Sequence, residues 1–96
     1  MGVGDDIADS VLLAVASVPR GQVISYGQIA AIVGRGGPRT VARILATQGG
    51  DVCWWRVIRA DGTIAPHLVS EASRRLRAEG VIVRDGRVLG GVDRSI

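Results

Sequence analysis

Reactive side chains are scarce in this chain. It has one thiol, Cys53, one imidazole, His67, and three aromatic rings, Tyr26, Trp54 and Trp55. A cysteine nucleophile acts as the thiolate and needs a neighbouring base or cation to form it. Cys53 has no histidine near it in sequence, and His67 could approach only through folding. One cysteine and one histidine are too small a ligand set for a structural zinc site, so neither metal nor cofactor is expected. A lone cysteine forms no internal disulfide and suits a reducing cytoplasm. The two tryptophans lie between Cys53 and Arg56, in a stretch rich in apolar residues and arginine. Indoles beside arginines can stack on nucleic-acid bases. They can equally be core residues of a domain that has no phenylalanine. Adjacent side chains of an extended segment point to opposite sides. One indole should then face a pocket while the other packs inward.

Charge narrows the choice of partner. Residues 20–59 carry six arginines against Asp51, net +5. Residues 1–19 carry three aspartates and no base, and residues 60–96 carry six arginines against five acids. All 12 basic residues are arginine. Arginine forks phosphates and stacks on bases better than lysine does. A compositional bias would also remove lysine, but it does not explain the central clustering. No apolar run of about 18 residues is present and no secretory core is visible, so neither a membrane nor export is expected.

The elements that must position these residues are short. With 96 residues, a single domain, 1–96, is expected, with 91–96 a frayed tail. Ile7, Val11, Leu12, Val15 and Val18 share one face of a helix over 5–18, which Pro19 stops. Ser25 and Gln28 form a capping box for a second helix over 26–33, with Ile29, Ile32 and Val33 inward and Gly34 ending it. Pro38 starts a third helix reaching Gln48, with Val41, Ile44 and Leu45 inward. Two helices joined by a glycine turn, the second presenting arginines and small residues, make a helix-turn-helix pattern. A plain helical hairpin gives the same pattern. Val23-Ile24 is an apolar link, and Thr63-Ile64 is a short strand or extended loop. A helix over 70–79 and a type I′ hairpin around Asp85-Gly86 follow. The expected fold is mainly α with a small β-hairpin, a winged helix-turn-helix-like domain.

Several segments together resemble a known family. Val18-Pro19-Arg20-Gly21-Gln22-Val23-Ile24-Ser25-Tyr26-Gly27-Gln28-Ile29-Ala30 is similar to the "VPxGxVxSYGxIA" segment of O6-alkylguanine-DNA alkyltransferases. Arg39-Thr40-Val41-Ala42 resembles their recognition-helix segment, and Cys53-Trp54-Trp55-Arg56-Val57 lines up with their active-site motif "PCHRV". Asp61-Gly62-Thr63-Ile64 and Leu76-Arg77-Ala78-Glu79-Gly80 match the following turn and the "LLxxEG" helix end. The motif departs at three of its five positions. Trp54 stands at the alkyl-accepting cysteine, Trp55 at the histidine and Cys53 at the proline. An indole cannot ionise to a soft nucleophile, so alkyl transfer at position 54 is chemically excluded. Tryptophan at that position is the pattern of the alkyltransferase-like proteins.

The resemblance implies a protein that is not an enzyme. It would bind double-stranded DNA containing O6-alkylguanine, flip the lesion into a pocket and flag it for nucleotide excision repair proteins. A monomer is expected. Tyr26, Trp54, Val57, Ile64, Ala65 and His67 would form the pocket, with His67 at its mouth. Ser25, Tyr26, Arg39, Thr40, Ala42 and Arg43 would meet the DNA, Arg39 filling the space of the flipped base from the minor groove. Arg56 would brace the loop, and Glu79 would match the family's glutamate with no histidine to orient. Two alternatives remain at this level. One is a helix-turn-helix transcription regulator, and the other is an active alkyltransferase using Cys53.

Overall fold

Valines spaced four apart build the first helix. In α1, Asp5–Ala16, Val11 and Val15 are fully buried and Ala8 nearly so. The helix stops two residues short of expectation. Pro19 disfavours the helical conformation at Val18, and the Ser17 hydroxyl donates to the Leu13 carbonyl at 2.9 Å instead of leaving that end open. The computed structural model describes residues 5–90. The expected frayed tail, 91–96, lies outside the described residues.

Strand β1, Ile24–Ser25, leads straight into α2, Tyr26–Val33. Both halves of the capping box form. The Gln28 amide donates to Ser25 Oγ at 3.0 Å, and the Ser25 amide donates to Gln28 Oε1 at 2.9 Å. Gly34 closes the helix with φ of 91°. Ile32, expected inward, is instead 66% exposed. The buried stripe runs through Tyr26, Ile29, Ala30 and Val33. At 100° per residue Ile32 falls about 110° from the centre of that stripe.

A turn through Gly36, with φ of 74°, joins α2 to α3, Pro38–Gln48. A Cβ at Gly36 would lie 2.9 Å from the Ile7 side chain, so the turn needs glycine for space as well as for conformation. Val41 and Ile44 bury one side of α3. After 3₁₀ turns at Gly49–Asp51 and Trp54–Arg56, strand β2, Val57–Ile58, pairs in parallel with β1 (Ile24 with Val57, Ser25 with Ile58). Sequence reading had only an apolar link at Val23-Ile24, because two-residue strands show no measurable alternation.

Strand β2 divides the interior. Val57 packs with Val11, Val15, Ile29, Val41 and Ile44, whereas Ile58 packs with Ile64, Ala72, Leu76, Val81 and Val83. Neighbouring strand residues point opposite ways, so one dipeptide serves two cores. A 3₁₀ turn at Pro66–Leu68 precedes α4, Val69–Ala78, which buries Ala72, Ser73 and Leu76. Strands β3, Ile82–Arg84, and β4, Arg87–Gly90, then form the hairpin. Asp85 and Gly86 have φ of 53° and 74°, the type I′ turn expected from Asp-Gly. The fold is mainly α with a small hairpin. No helix among the described residues is long and apolar enough to cross a membrane.

Candidate nucleic-acid interface

The outer face of α3 repeats arginine and alanine at helical spacing. Arg39, Ala42, Arg43 and Ala46 fall at i, i+3, i+4 and i+7 and line one side of a cavity of about 790 Å³. Methyl side chains keep that face low, while the arginines supply positive charge. Tyr26, at the first position of α2, lines the same cavity. Burial pushes its phenol above the ordinary range, and the Arg59 charge only partly opposes this. Tyr26 is therefore a hydroxyl donor at neutral pH.

Further lining comes from the loop between α3 and α4, through Trp54, Arg59, Ala60, Ala65 and His67. Trp54 and Trp55 do not point to opposite sides as an extended segment would require. They sit in a 3₁₀ turn, and their rings meet edge to face, 5.8 Å apart at 88°. At three residues per turn, neighbours diverge by only about 120°. Both indoles also pack against the second core, as the core reading expects, and Trp54 alone of the two lines the cavity as well. His67 is exposed in the Pro66–Leu68 turn.

Arg59 escaped the sequence reading. Its Nε donates to Thr63 Oγ1 at 3.0 Å. Thr63 in turn donates to Asp61 Oδ1 through its amide (3.0 Å) and its hydroxyl (2.6 Å). Those two bonds hold the Asp61 carboxyl below its ordinary value. Arg87 Nη1 donates to the Asp61 carbonyl at 2.6 Å and ties the hairpin to this loop. The Asp-Gly turn was visible in sequence, but its aiming of Arg59 at a cavity depends on Thr63. Ala46 was also missed, although its spacing from Ala42 and Arg43 could have found it.

Two expected pocket residues are corrected. Val57 and Ile64 are each 3% exposed and do not line the cavity; they fill the first and second cores. Strand pairing turns Val57 inward. The amide of Ile64 donates to the Gly86 carbonyl at 2.8 Å, which draws this residue toward the hairpin. Ser25 and Thr40, expected at the DNA, do not line the cavity. Ser25 Oγ is engaged in the cap, and Thr40 is half-buried beneath Gly36.

Behind Trp54, one carboxylate gathers three segments. Glu79 accepts from the Gly21 amide (3.0 Å), Trp55 Nε1 (2.8 Å), Arg56 Nε (2.9 Å) and Arg56 Nη2 (2.7 Å). Arg56 Nη1 also reaches the Val18 carbonyl at 2.8 Å. Burial disfavours the Glu79 anion, yet the hydrogen bonds from Arg56, Gly21 and Trp55 and the Arg56 charge outweigh it. They hold the carboxyl at about 2, against an ordinary 4.5. Arg56 thus braces the loop, and Glu79 orients an indole in place of an imidazole. Cys53 faces the other way. Its Sγ donates to the Val15 carbonyl at 3.0 Å and packs on the first core, with no share in lining the cavity. Among the described residues no cluster of His, Cys, Asp or Glu could hold a metal ion.

A helix-turn-helix whose second helix shows arginines and alanines beside a tryptophan-walled cavity defines a DNA-binding domain. The chain belongs to the family described as the DNA-binding domain of 6-O-methylguanine DNA methyltransferase, whose model matches residues 6–81. Its fold is that of S. pombe Atl1 in complex with damaged DNA containing O6-carboxymethylguanine. That chain is 33% identical, with a TM-score of 0.76, over 88% of this chain and 83% of that one. An S. pombe ATL in complex with DNA is 32% identical, with a TM-score of 0.74, over 92% and 90% of the respective chains. Comparison with curated protein sequences returned no match.

Proposed function

We propose that this protein binds double-stranded DNA carrying O6-alkylguanine, turns the lesion out into the cavity and leaves the alkyl group in place. The observation that carries the reading is Trp54. It lines the cavity at the motif position where the alkyltransferases have their cysteine, and Tyr26 and Arg39 line the same cavity. Its flat apolar ring offers contact to alkyl groups of different size, and it supplies no nucleophile. The only thiol, Cys53, is turned to the Val15 carbonyl, which argues against transfer through that sulfur. Arg39 is exposed at the start of α3. There a planar cation suits the gap left by an everted base. Ala42 and Ala46 allow close approach to a minor groove, which carries little sequence information and suits a lesion scanner. Retention of the adduct makes a downstream excision pathway necessary. On this reading the complex is the flag that nucleotide excision repair proteins recognise, and a monomer works on DNA in the cytoplasm.

The test uses duplexes that differ only in guanine or O6-methylguanine, the latter with a labelled methyl group. Tighter binding to the lesion with no label on the protein is expected. Stoichiometric label on the protein refutes the absence of transfer, and equal affinity for the two duplexes refutes lesion recognition.

A further inference from the structure

Trp55 and Arg75 do not line the cavity, yet they make the contacts that orient the residue that does. Arg75 projects from α4 with its guanidinium carbon 4.6 Å from the centre of the Trp55 ring and 5.9 Å from that of Trp54. Glu71, one turn earlier, accepts from Arg75 Nε at 2.6 Å and so fixes the cation over the rings. Trp55 is itself anchored. Its Nε1 donates to Glu79 at 2.8 Å, and the Arg56 guanidinium lies 5.5 Å from its ring centre. The edge-to-face meeting of the indoles passes this restraint to Trp54. Such a pair resists rotation of either ring, because turning one loses both the aromatic contact and the cation.

We propose that Trp55 and Arg75 are positioning residues that hold the Trp54 ring in one orientation at the cavity and thereby set the preference for an alkylated base over guanine. The inference rests on the lesion-binding reading above. Recognition of an everted base needs an apolar wall held in one plane, since a freely turning ring must be ordered anew at each encounter. DNA affinity as such comes from the arginines of α3 and the loop. Trp55 thus acts through Trp54 and does not touch the DNA. Its indole keeps the hydrogen bond to Glu79 and adds a second ring surface, on which Arg75 lies.

The experiment compares wild type with Arg75→Leu, Arg75→Lys and Trp55→Phe. The Arg75 side chain is 43% exposed, so its loss opens no cavity. Near-UV circular dichroism reports how firmly the indoles are held, and melting reports the fold. Binding is measured to guanine and O6-methylguanine duplexes. Arg75→Leu is expected to lower the lesion-to-guanine affinity ratio about twofold to fivefold, the range of one exposed cation–π contact. The near-UV signal should weaken with little change in melting. Trp55→Phe, which loses the bond to Glu79, should act in the same direction, and Arg75→Lys should restore part of the ratio. An unchanged ratio in both Arg75→Leu and Trp55→Phe overturns the proposal, as does an equal fall in affinity for both duplexes. If wild type itself shows no lesion preference, the lesion-binding reading fails. The near-UV signal of Arg75→Leu then decides the positioning of Trp54 by itself: weakened supports it, unchanged overturns it.

Discussion

Replacing Glu79 by glutamine removes the carboxylate on which the Trp54–Arg56 turn depends. The Glu79 side chain is 6% exposed and that of Arg56 is 14% exposed. Displacement of the carboxyl from 4.5 to about 2 corresponds to about 3 kcal/mol at neutral pH, at about 1.4 kcal/mol per pH unit. Removing one partner of a buried ion pair costs a similar amount, about 3–5 kcal/mol, because the other charge is stranded. In Glu79→Gln, Arg56 keeps its bond to the Val18 carbonyl but loses its anion. The folded value lies below the unfolded one, so the contribution is complete above about pH 4.5 and is lost as pH falls through about 2. At pH 3 about 1.5 kcal/mol of it remains. Urea denaturation of wild type and Glu79→Gln should therefore show a gap of about 3 kcal/mol at pH 7 and about half that at pH 3. Asp61 and Glu71, whose carboxyls are also lowered, are present in both proteins and cancel. A gap under about 1 kcal/mol at pH 7, or the same gap at both pH values, would refute the reasoning.

The remaining expectations concern the turn, the cap and the loop. Gly36→Ala should cost about 1–2 kcal/mol in denaturation, since alanine meets both the left-handed backbone and the Ile7 side chain; a neutral result would mean the α2–α3 turn yields easily. Ser25→Ala should cost about 1 kcal/mol through loss of the Gln28 amide acceptor. It should leave the salt dependence of DNA binding unchanged where the hydroxyl serves the cap alone, and a shallower slope would place Ser25 on a phosphate. Arg59→Ala should lower DNA affinity and reduce the slope of log affinity against log salt by about 1, the signature of one lost phosphate contact. An unaltered slope in a salt titration would place Arg59 away from the backbone.

Local chemistry made much of the framework legible. The Ser25–Gln28 box, Gly34, Pro38 and the Asp85-Gly86 turn each act within a few residues. The boundaries they imply for α2 and α3 and the turn of the hairpin are those observed, while its strands end one residue further than 81–83 and 87–89 suggest. Helix α4 was displaced by a single residue, from 70–79 to Val69–Ala78. The parallel pairing of Ile24–Ser25 with Val57–Ile58 was not legible. It joins residues more than thirty positions apart and is too short to impose a period. Ile32 was misjudged because an apolar residue three positions from another suggests a shared face even when the stripe bends the other way.

The candidate site divides along the same line. Sequence alone determined that position 54 carries no nucleophile, that Arg39, Ala42 and Arg43 share a helix face, and that positive charge gathers in the middle of the chain. These follow from side-chain chemistry and from a helical repeat that each residue carries with it. Only the tertiary structure decided which neighbours enter the cavity. Val57 and Ile64 left it for the two cores, Arg59 joined it through Thr63, and Trp55 turned to Glu79 with Arg75 over its ring. The reason is geometric. A 3₁₀ turn, a two-residue strand and a long-range hydrogen bond set side-chain directions through partners from distant parts of the chain, and no local pattern encodes those partners.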